Sequence, residues 1–225
     1  MAKSVLAAVP GGGLMDIQYS SSAEYMKSPK DGAQTGLKYL KAQASKCPKM
    51  VFVLMGYSKG ATAKDLPPNK VVAVALFGNP YFTAGAPQNK CDAKTGKGIA
   101  SSMGVKAPKQ YTSIIWDCCL TGDMICQTSG GMTSHMKYGG KPASDAQAFI
   151  VGKLKAVKAG GSPGGAAGGN TNGKGGADSG GGAAGKSMGS KPGGDMGGGK
   201  MGGLGGKLGG LGARSLAWHA ASRGS

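Results

Sequence analysis

The sequence predicts an α/β protein, a three-layer α/β/α sandwich around a mostly parallel central sheet, followed by a disordered glycine-rich tail. Three observations carry this. The apolar runs at residues 50–55 and 71–77 have no alternating polar positions, so they fit strands buried on both faces, as in a parallel sheet. These runs alternate with segments of helical period, which puts helices on the faces of the sheet. The glycines are also unevenly spread: residues 159–225 hold 27 of the 45 in only 67 positions. Such a stretch cannot bury enough apolar surface to offset the entropy of ordering it. The folding unit is therefore residues 1–158, long enough for one hydrophobic core, and 159–225 read as a flexible tail.

Each element follows from local pattern. Residues 4–9, Ser-Val-Leu-Ala-Ala-Val, read as a short buried strand ended by Pro10 and the glycines at 11–13. Residues 32–46 read as a helix, with Leu37, Leu40 and Ala44 inward and Lys38 and Lys41 outward. Pro48 closes it, and the runs at 50–55 and 71–77 follow as strands. Residues 111–116, Tyr-Thr-Ser-Ile-Ile-Trp, form a third β-rich run. The last helix is expected to begin near Ser144 as N-cap, with Ala146, Phe149, Ile150, Leu154 and Val157 along one face. The apolar residues at 216–218 are too few to make a domain.

Charge and composition exclude several functions. The formal net charge is +17, which can draw a protein toward nucleic acid, anionic membranes or acidic polysaccharide. The folding unit has 20 lysines, eight acidic residues and no arginine, and its lysines are scattered. Nucleic-acid readers rely on arginine forks and aromatic platforms, so no nucleic-acid partner is expected. No run of 18 apolar residues occurs, so no transmembrane helix is expected. There is no collagen period, no metal-ligand cluster and no phosphate loop. Gly11, Gly12 and Gly13 do not extend to a dinucleotide fingerprint, and neither metal nor cofactor is expected. The N-terminus has one lysine and a short apolar run, a poor match to a signal peptide.

Chemistry concentrates where the first long strand ends. It runs into Gly56-Tyr57-Ser58-Lys59-Gly60-Ala61, a G-x-S-x-G pattern after a buried strand and before a helical stretch. A sharp turn there lifts the Ser58 hydroxyl above the sheet edge. Glycines flank it because side chains would strike the neighbouring elements, and the Lys59 N–H points at a developing oxyanion. A serine nucleophile needs a base and an orienting carboxylate. His135 is the single histidine of residues 1–158. Two carboxylates compete: Asp123, on the loop after the third run, and Asp117, at that run's end.

Three stretches together resemble the cutinase family, which includes acetylxylan esterases. Cys47-Pro48, then the strand and Gly-Tyr-Ser-Lys-Gly-Ala, is similar to that family's nucleophile motif. Cys119-x-x-Gly122-Asp123-x-x-Cys126 resembles its acid loop, and His135-x-x-Tyr138 its histidine motif. Leu76-Phe77-Gly78-Asn79-Pro80 also fits, and the resemblance covers residues 4–158. It implies a cutinase-like α/β-hydrolase domain with a Ser58–His135–Asp123 triad, Lys59 as oxyanion donor, and a Cys119–Cys126 disulfide. The acyl slot would take in Tyr57, Ile125, Met132 and Met136. Implied partners are an ester substrate, either cutin-like polyester or acylated polysaccharide, with the protein a secreted monomer.

The chain departs from the family in two respects. The family's N-terminal segment, which supplies a leader, a first strand and a second oxyanion donor, is expected to be missing before Ser4. The helix after the elbow has room only for residues 59–66 before Pro67 and Pro68. Five cysteines leave at least one free thiol, and the pairing of Cys47, Cys91 and Cys118 stays open. The leading expectation is a secreted serine esterase acting on polyester or short-to-medium acyl esters. An acetylxylan esterase, or a non-catalytic basic remnant that binds cell-wall polymers, is the alternative.

Overall fold

In the computed structural model, residues 1–20, 27–58, 69–161 and 216–218 are described. Their elements are α1 (Ala2–Ala8), β1 (Leu14–Asp16), α2 (Lys27–Lys46), β2 (Phe52–Tyr57), β3 (Val71–Phe77), β4 (Asn89–Lys90), β5 (Ile115–Cys118), α3 (Met124–Gln127), α4 (Met132–His135), α5 (Lys141–Lys158) and β6 (Leu216–Trp218). Short 3-10 segments at Ser101–Met103 and Lys109–Ile114 lie between β4 and β5.

The sheet order is β1-β6-β2-β3-β5-β4. Strands β2, β3, β5 and β4 are mutually parallel, and β6 runs antiparallel to both β1 and β2. β3 is buried at every position, as a strand covered on both faces must be. On one face Val53, Met55, Ala73, Ala75 and Phe77 pack under Val5 and Val9 of the α1 segment and Ala146, Ile150 and Leu154 of α5. On the other, Phe52, Val74, Leu76 and Ile115 pack under Leu40 of α2. The three-layer α/β/α architecture expected from the sequence is therefore present.

Several element boundaries differ from the sequence reading. Residues 4–9 do not form a strand. Ala2–Ala8 is helical, with Val5 buried on its inner side. Three of its seven residues are alanine, the best helix former, and Val5 and Val9 fall one helical turn apart on the α5 side. The third run begins as a 3-10 turn, and its strand starts only at Ile115, after Pro108. Helix α2 starts at Lys27, where Pro29 sits in its first turn, a position that tolerates proline. Helix α5 starts at Lys141 with Pro142 in its first turn, displacing the expected cap at Ser144. Of the segment read as a tail, Leu216–Trp218 forms β6, whose backbone covers the edge that β2 would otherwise leave open. The short helix after the elbow lies outside the described residues.

Candidate active site

The register of the parallel strands brings three loops together. Tyr57 of β2 is level with Phe77 of β3, and Phe77 with Cys118 of β5. The next residues are Ser58, Gly78 and Cys119, so the nucleophile candidate, a glycine corner and the acid loop all leave the same end of the sheet. Ser58 has φ +54°. For a residue with a side chain this left-handed conformation costs about 1–2 kcal/mol, and strain of this kind is typical of functional turns. Tyr57 is the last residue of β2, and Lys59, the expected oxyanion donor, lies outside the described residues.

The acid loop is built to hold one carboxylate. Asp123 caps the short helix α3, and its Oδ1 accepts the Ile125 N–H at 2.8 Å and the Cys126 N–H at 3.4 Å. Cys119 and Cys126 are joined in a disulfide across the loop. The Gln127 side chain accepts the Gly122 N–H at 2.7 Å and donates to the Thr95 carbonyl at 3.1 Å, tying the loop to its neighbour. Asp123 is fully buried.

His135, buried at the end of α4, places Nδ1 2.8 Å from Asp123 Oδ2 and 3.0 Å from Oδ1. An ionised carboxylate only accepts, so Nδ1 carries the proton and Nε2 is left as the basic nitrogen. Tyr138 donates its hydroxyl proton to Asp123 Oδ2 at 2.5 Å and accepts the Leu120 N–H at 3.1 Å. Burial by itself would raise the Asp123 carboxyl, but the hydrogen bonds from His135, Tyr138 and the Ile125 N–H outweigh it and hold the group below its ordinary value. Burial, and then the bond to Asp123, pushes the Tyr138 phenol well up, so Tyr138 stays protonated as a donor.

Gly78 explains how these parts fit. Its φ is +59°, and a Cβ there would lie 2.5 Å from His135 Cε1 and 2.7 Å from Nδ1. Only glycine lets β3 end beneath the imidazole. Tyr57 stacks on the imidazole at 4.9 Å and donates its hydroxyl to the His135 carbonyl at 2.6 Å. The residue before Ser58 thus holds the histidine by both ring and backbone. Among the described residues no hydrogen bond joins the Ser58 hydroxyl to His135. In an unliganded hydrolase that link often tightens only with substrate present.

Other expected residues fall as follows. Met132 and Met136, on either side of His135, are 45% and 55% exposed, and Ile125 is buried. Asp117 does not serve His135. It lies on the opposite face of the sheet and takes a hydrogen bond from Asn79 Nδ2 at 2.8 Å. Cys91 and Cys118 are paired, and Cys47 is free and exposed. The sequence reading quoted Tyr138 and Gly78 within its motifs but gave neither a role in the site, and it did not single out Gln127. For Tyr138 the signal was at hand in its spacing of three from His135.

A family model described as Cutinase matches residues 1–154. Carboxylesterase Culp1 of Mycobacterium tuberculosis is 30% identical over 134 residues, covering 56% of this chain and 57% of that protein. A cutinase of Blumeria hordei is 28% identical over 132 residues, covering 55% of this chain and 47% of that protein. The chain thus spans a little over half the length of the first of these curated relatives and less than half of the second. Among solved structures, a cutinase-like protein from Cryptococcus sp. aligns with TM-score 0.57 at 23% identity, over 72% of this chain and 85% of its own. An acetyl xylan esterase aligns with TM-score 0.56 at 24% identity, over 68% and 87%. These two likenesses are of fold.

Proposed function

The chain belongs to the cutinase family, and from that premise we propose that it is a secreted serine carboxylic ester hydrolase with Ser58, His135 and Asp123 as its triad. The observation that carries the reading is the Asp123–His135 pair. A buried carboxylate, bonded from four directions, holds Nδ1 and frees Nε2 at the strand ends where Ser58 sits on a left-handed turn. In the reaction Ser58 Oγ attacks the ester carbonyl while its proton passes to His135 Nε2. The tetrahedral intermediate collapses, the carbonyl–alkoxy bond breaks, and the leaving alcohol takes the proton from Nε2. Water then attacks the acyl-serine by the same route and releases the acid. The Lys59 N–H serves as an oxyanion donor.

The substrate class proposed is a short-to-medium acyl ester or a polyester. Exposed Met132 and Met136 beside the base support an apolar acyl partner, and this favours acyl chains longer than acetyl. Two disulfides support an extracellular setting. Residues 1–158 are the catalytic body of the proposal, acting as a monomer, with 159–225 as an appended tail.

The test uses the full chain with p-nitrophenyl acetate, butyrate and octanoate, and a fluorophosphonate probe read by mass spectrometry. The expected result is butyrate or octanoate turnover above acetate, with the label on Ser58, both lost in Ser58→Ala. A folded protein that neither turns over any of the three esters nor takes the label overturns the proposal. Acetate preferred over the longer esters moves the substrate toward acetylated polysaccharide.

A further inference from the structure

Asp123, the acid of the proposed triad, follows a glycine, and the structure holds that glycine from both ends. Gly122 has φ +80°, a conformation that favours glycine, and it is the point at which the acid loop could pivot. Its N–H donates to Gln127 Oε1 at 2.7 Å, and its carbonyl accepts the Gly131 N–H at 2.9 Å. The next N–H, that of Asp123, donates to the Leu120 carbonyl at 3.1 Å. The Gly131 and Leu120 bonds are made by backbone. The bond to the Gly122 N–H is made by a side chain, so one substitution removes it.

Gln127 is itself fixed. It is buried, and its Nε2 donates to the Thr95 carbonyl at 3.1 Å and to Thr95 Oγ1 at 3.3 Å. These two ends decide which way the amide points, because an N–H meets only an acceptor and a carbonyl only a donor. Thr95 lies outside the acid loop. Its segment is tied to β5 by the Cys91–Cys118 disulfide and to the residue after β5 by the Ala93 N–H, which donates to the Cys119 carbonyl at 3.1 Å. A Cβ at Gly96 would lie 2.7 Å from Gln127 Cγ, so the segment lies against the side chain. Gln127 thus joins the pivot before Asp123 to a segment anchored on the sheet. Displacing Gly122 carries Asp123 with it, and His135 Nδ1 then loses its fixed acceptor. A base whose tautomer and orientation are no longer held loses rate rather than substrate binding.

We infer that Gln127 is a positioning residue for the proposed ester hydrolysis: its side-chain amide locks the Gly122 pivot and thereby sets Asp123 against His135. The inference rests on the esterase reading for its kinetic consequence alone, and the state of the Asp123–His135 pair is a separate readout.

The test compares the full wild-type chain with Gln127→Met, which matches glutamine in length and loses both hydrogen bonds. Gly122 is half-buried and Thr95 exposed, so the groups set free meet water and the fold is retained. With p-nitrophenyl butyrate, kcat is expected to fall about 10–10²-fold while KM stays within about twofold. The His135 Nδ1 proton, read by nitrogen-edited NMR, is expected to broaden and move upfield. Gln127→Asn keeps the amide on a stem one methylene shorter, and its kcat is expected to fall between the two. Ile150→Val, a mild change in the core under α5, controls for stability and is expected to leave kcat within about twofold and the Nδ1 proton in place. A lowered Tm in Gln127→Met with an unmoved Nδ1 proton would overturn the inference, and so would an undiminished kcat in that variant of an active enzyme. An equal loss of kcat in Ile150→Val would overturn it by making the effect one of stability. A wild-type chain without turnover, whose Nδ1 proton still moves in Gln127→Met, would sink the esterase reading and leave Gln127 as the residue that sets the pair.

Discussion

Tyr138→Phe isolates one hydrogen bond at the centre of the site. The ring contacts with Phe77 and His135 survive the change, and only the hydroxyl is lost. That hydroxyl donates at 2.5 Å to Asp123 Oδ2, the oxygen that also takes the His135 Nδ1 proton at 2.8 Å. A hydrogen bond to a charged group contributes about 1.5–3 kcal/mol, and its loss leaves the Leu120 N–H without this acceptor. Stability at pH 7 should fall by about 2 kcal/mol. The sign with pH follows from Asp123. Its carboxyl is depressed in the fold, so its contribution is present above the unfolded value and is lost as pH falls through the folded one. Removing a donor relaxes the depression, so wild type and variant should converge in acid. The same relaxation protonates Asp123 at a higher pH, so the midpoint of its carboxyl carbon shift should move upward in the variant. The assays are urea midpoints across pH and the carboxyl carbon shift of Asp123. An unmoved carboxyl midpoint together with a drop in stability that is the same at every pH would refute the reasoning and leave Tyr138 as packing alone.

Three further outcomes follow from other parts of the fold. Asp117→Asn should flatten the pH dependence of stability: the wild-type carboxyl, raised by burial to about 7, holds its proton longer folded than unfolded. Wild type therefore loses stability, on the order of a few kcal/mol, as pH rises from about 4 to 7, and equal slopes by urea denaturation would contradict this. Gly78→Ala places a Cβ 2.5 Å from His135 Cε1 in a left-handed conformation. Displacing the base by about 1 Å should cost about 10²-fold in kcat, and ester turnover within twofold of wild type would show the imidazole free to adjust. Converting both Cys119 and Cys126 to serine opens a loop of sequence separation 7. It should cost about 2–3 kcal/mol, read by thermal unfolding, with kcat falling further than KM changes because Asp123 loses its fixed position.

The site was legible where the chemistry forces a pattern on neighbouring residues. A nucleophile on a tight turn needs glycines beside it, and a helix-capping acid inside a disulfide ring needs fixed spacing, so Ser58 and Asp123 stand out in the sequence. The strands of the core were equally plain, because burial on both faces demands uninterrupted apolar residues at 71–77. What stayed hidden depends on distance across the fold. Residues 4–9 satisfy both a buried strand and a short helix, and only the position of α5 decides that Val5 and Val9 must share a side. The partner of Cys91 became visible only when β4 was laid beside β5.

Gly78 and Asn79 show the same limit at the site itself. In sequence they are an ordinary strand end. In the fold Gly78 sits beneath the imidazole, and the next residue, Asn79, reaches through to Asp117 on the opposite face. Asn79 also accepts the Tyr81 N–H at 2.9 Å, so one side chain fixes the turn that follows β3 and gives the buried acid its hydrogen bond. The two carboxylates that compete in the sequence therefore flank one corner from opposite sides. Asp123 is fully bonded, held low and set against the base. Asp117 is half bonded, held high and set on the opposite face of the sheet. Their different surroundings, and not their distance along the chain from Ser58, are what favour Asp123 over Asp117 as the acid of the proposed triad.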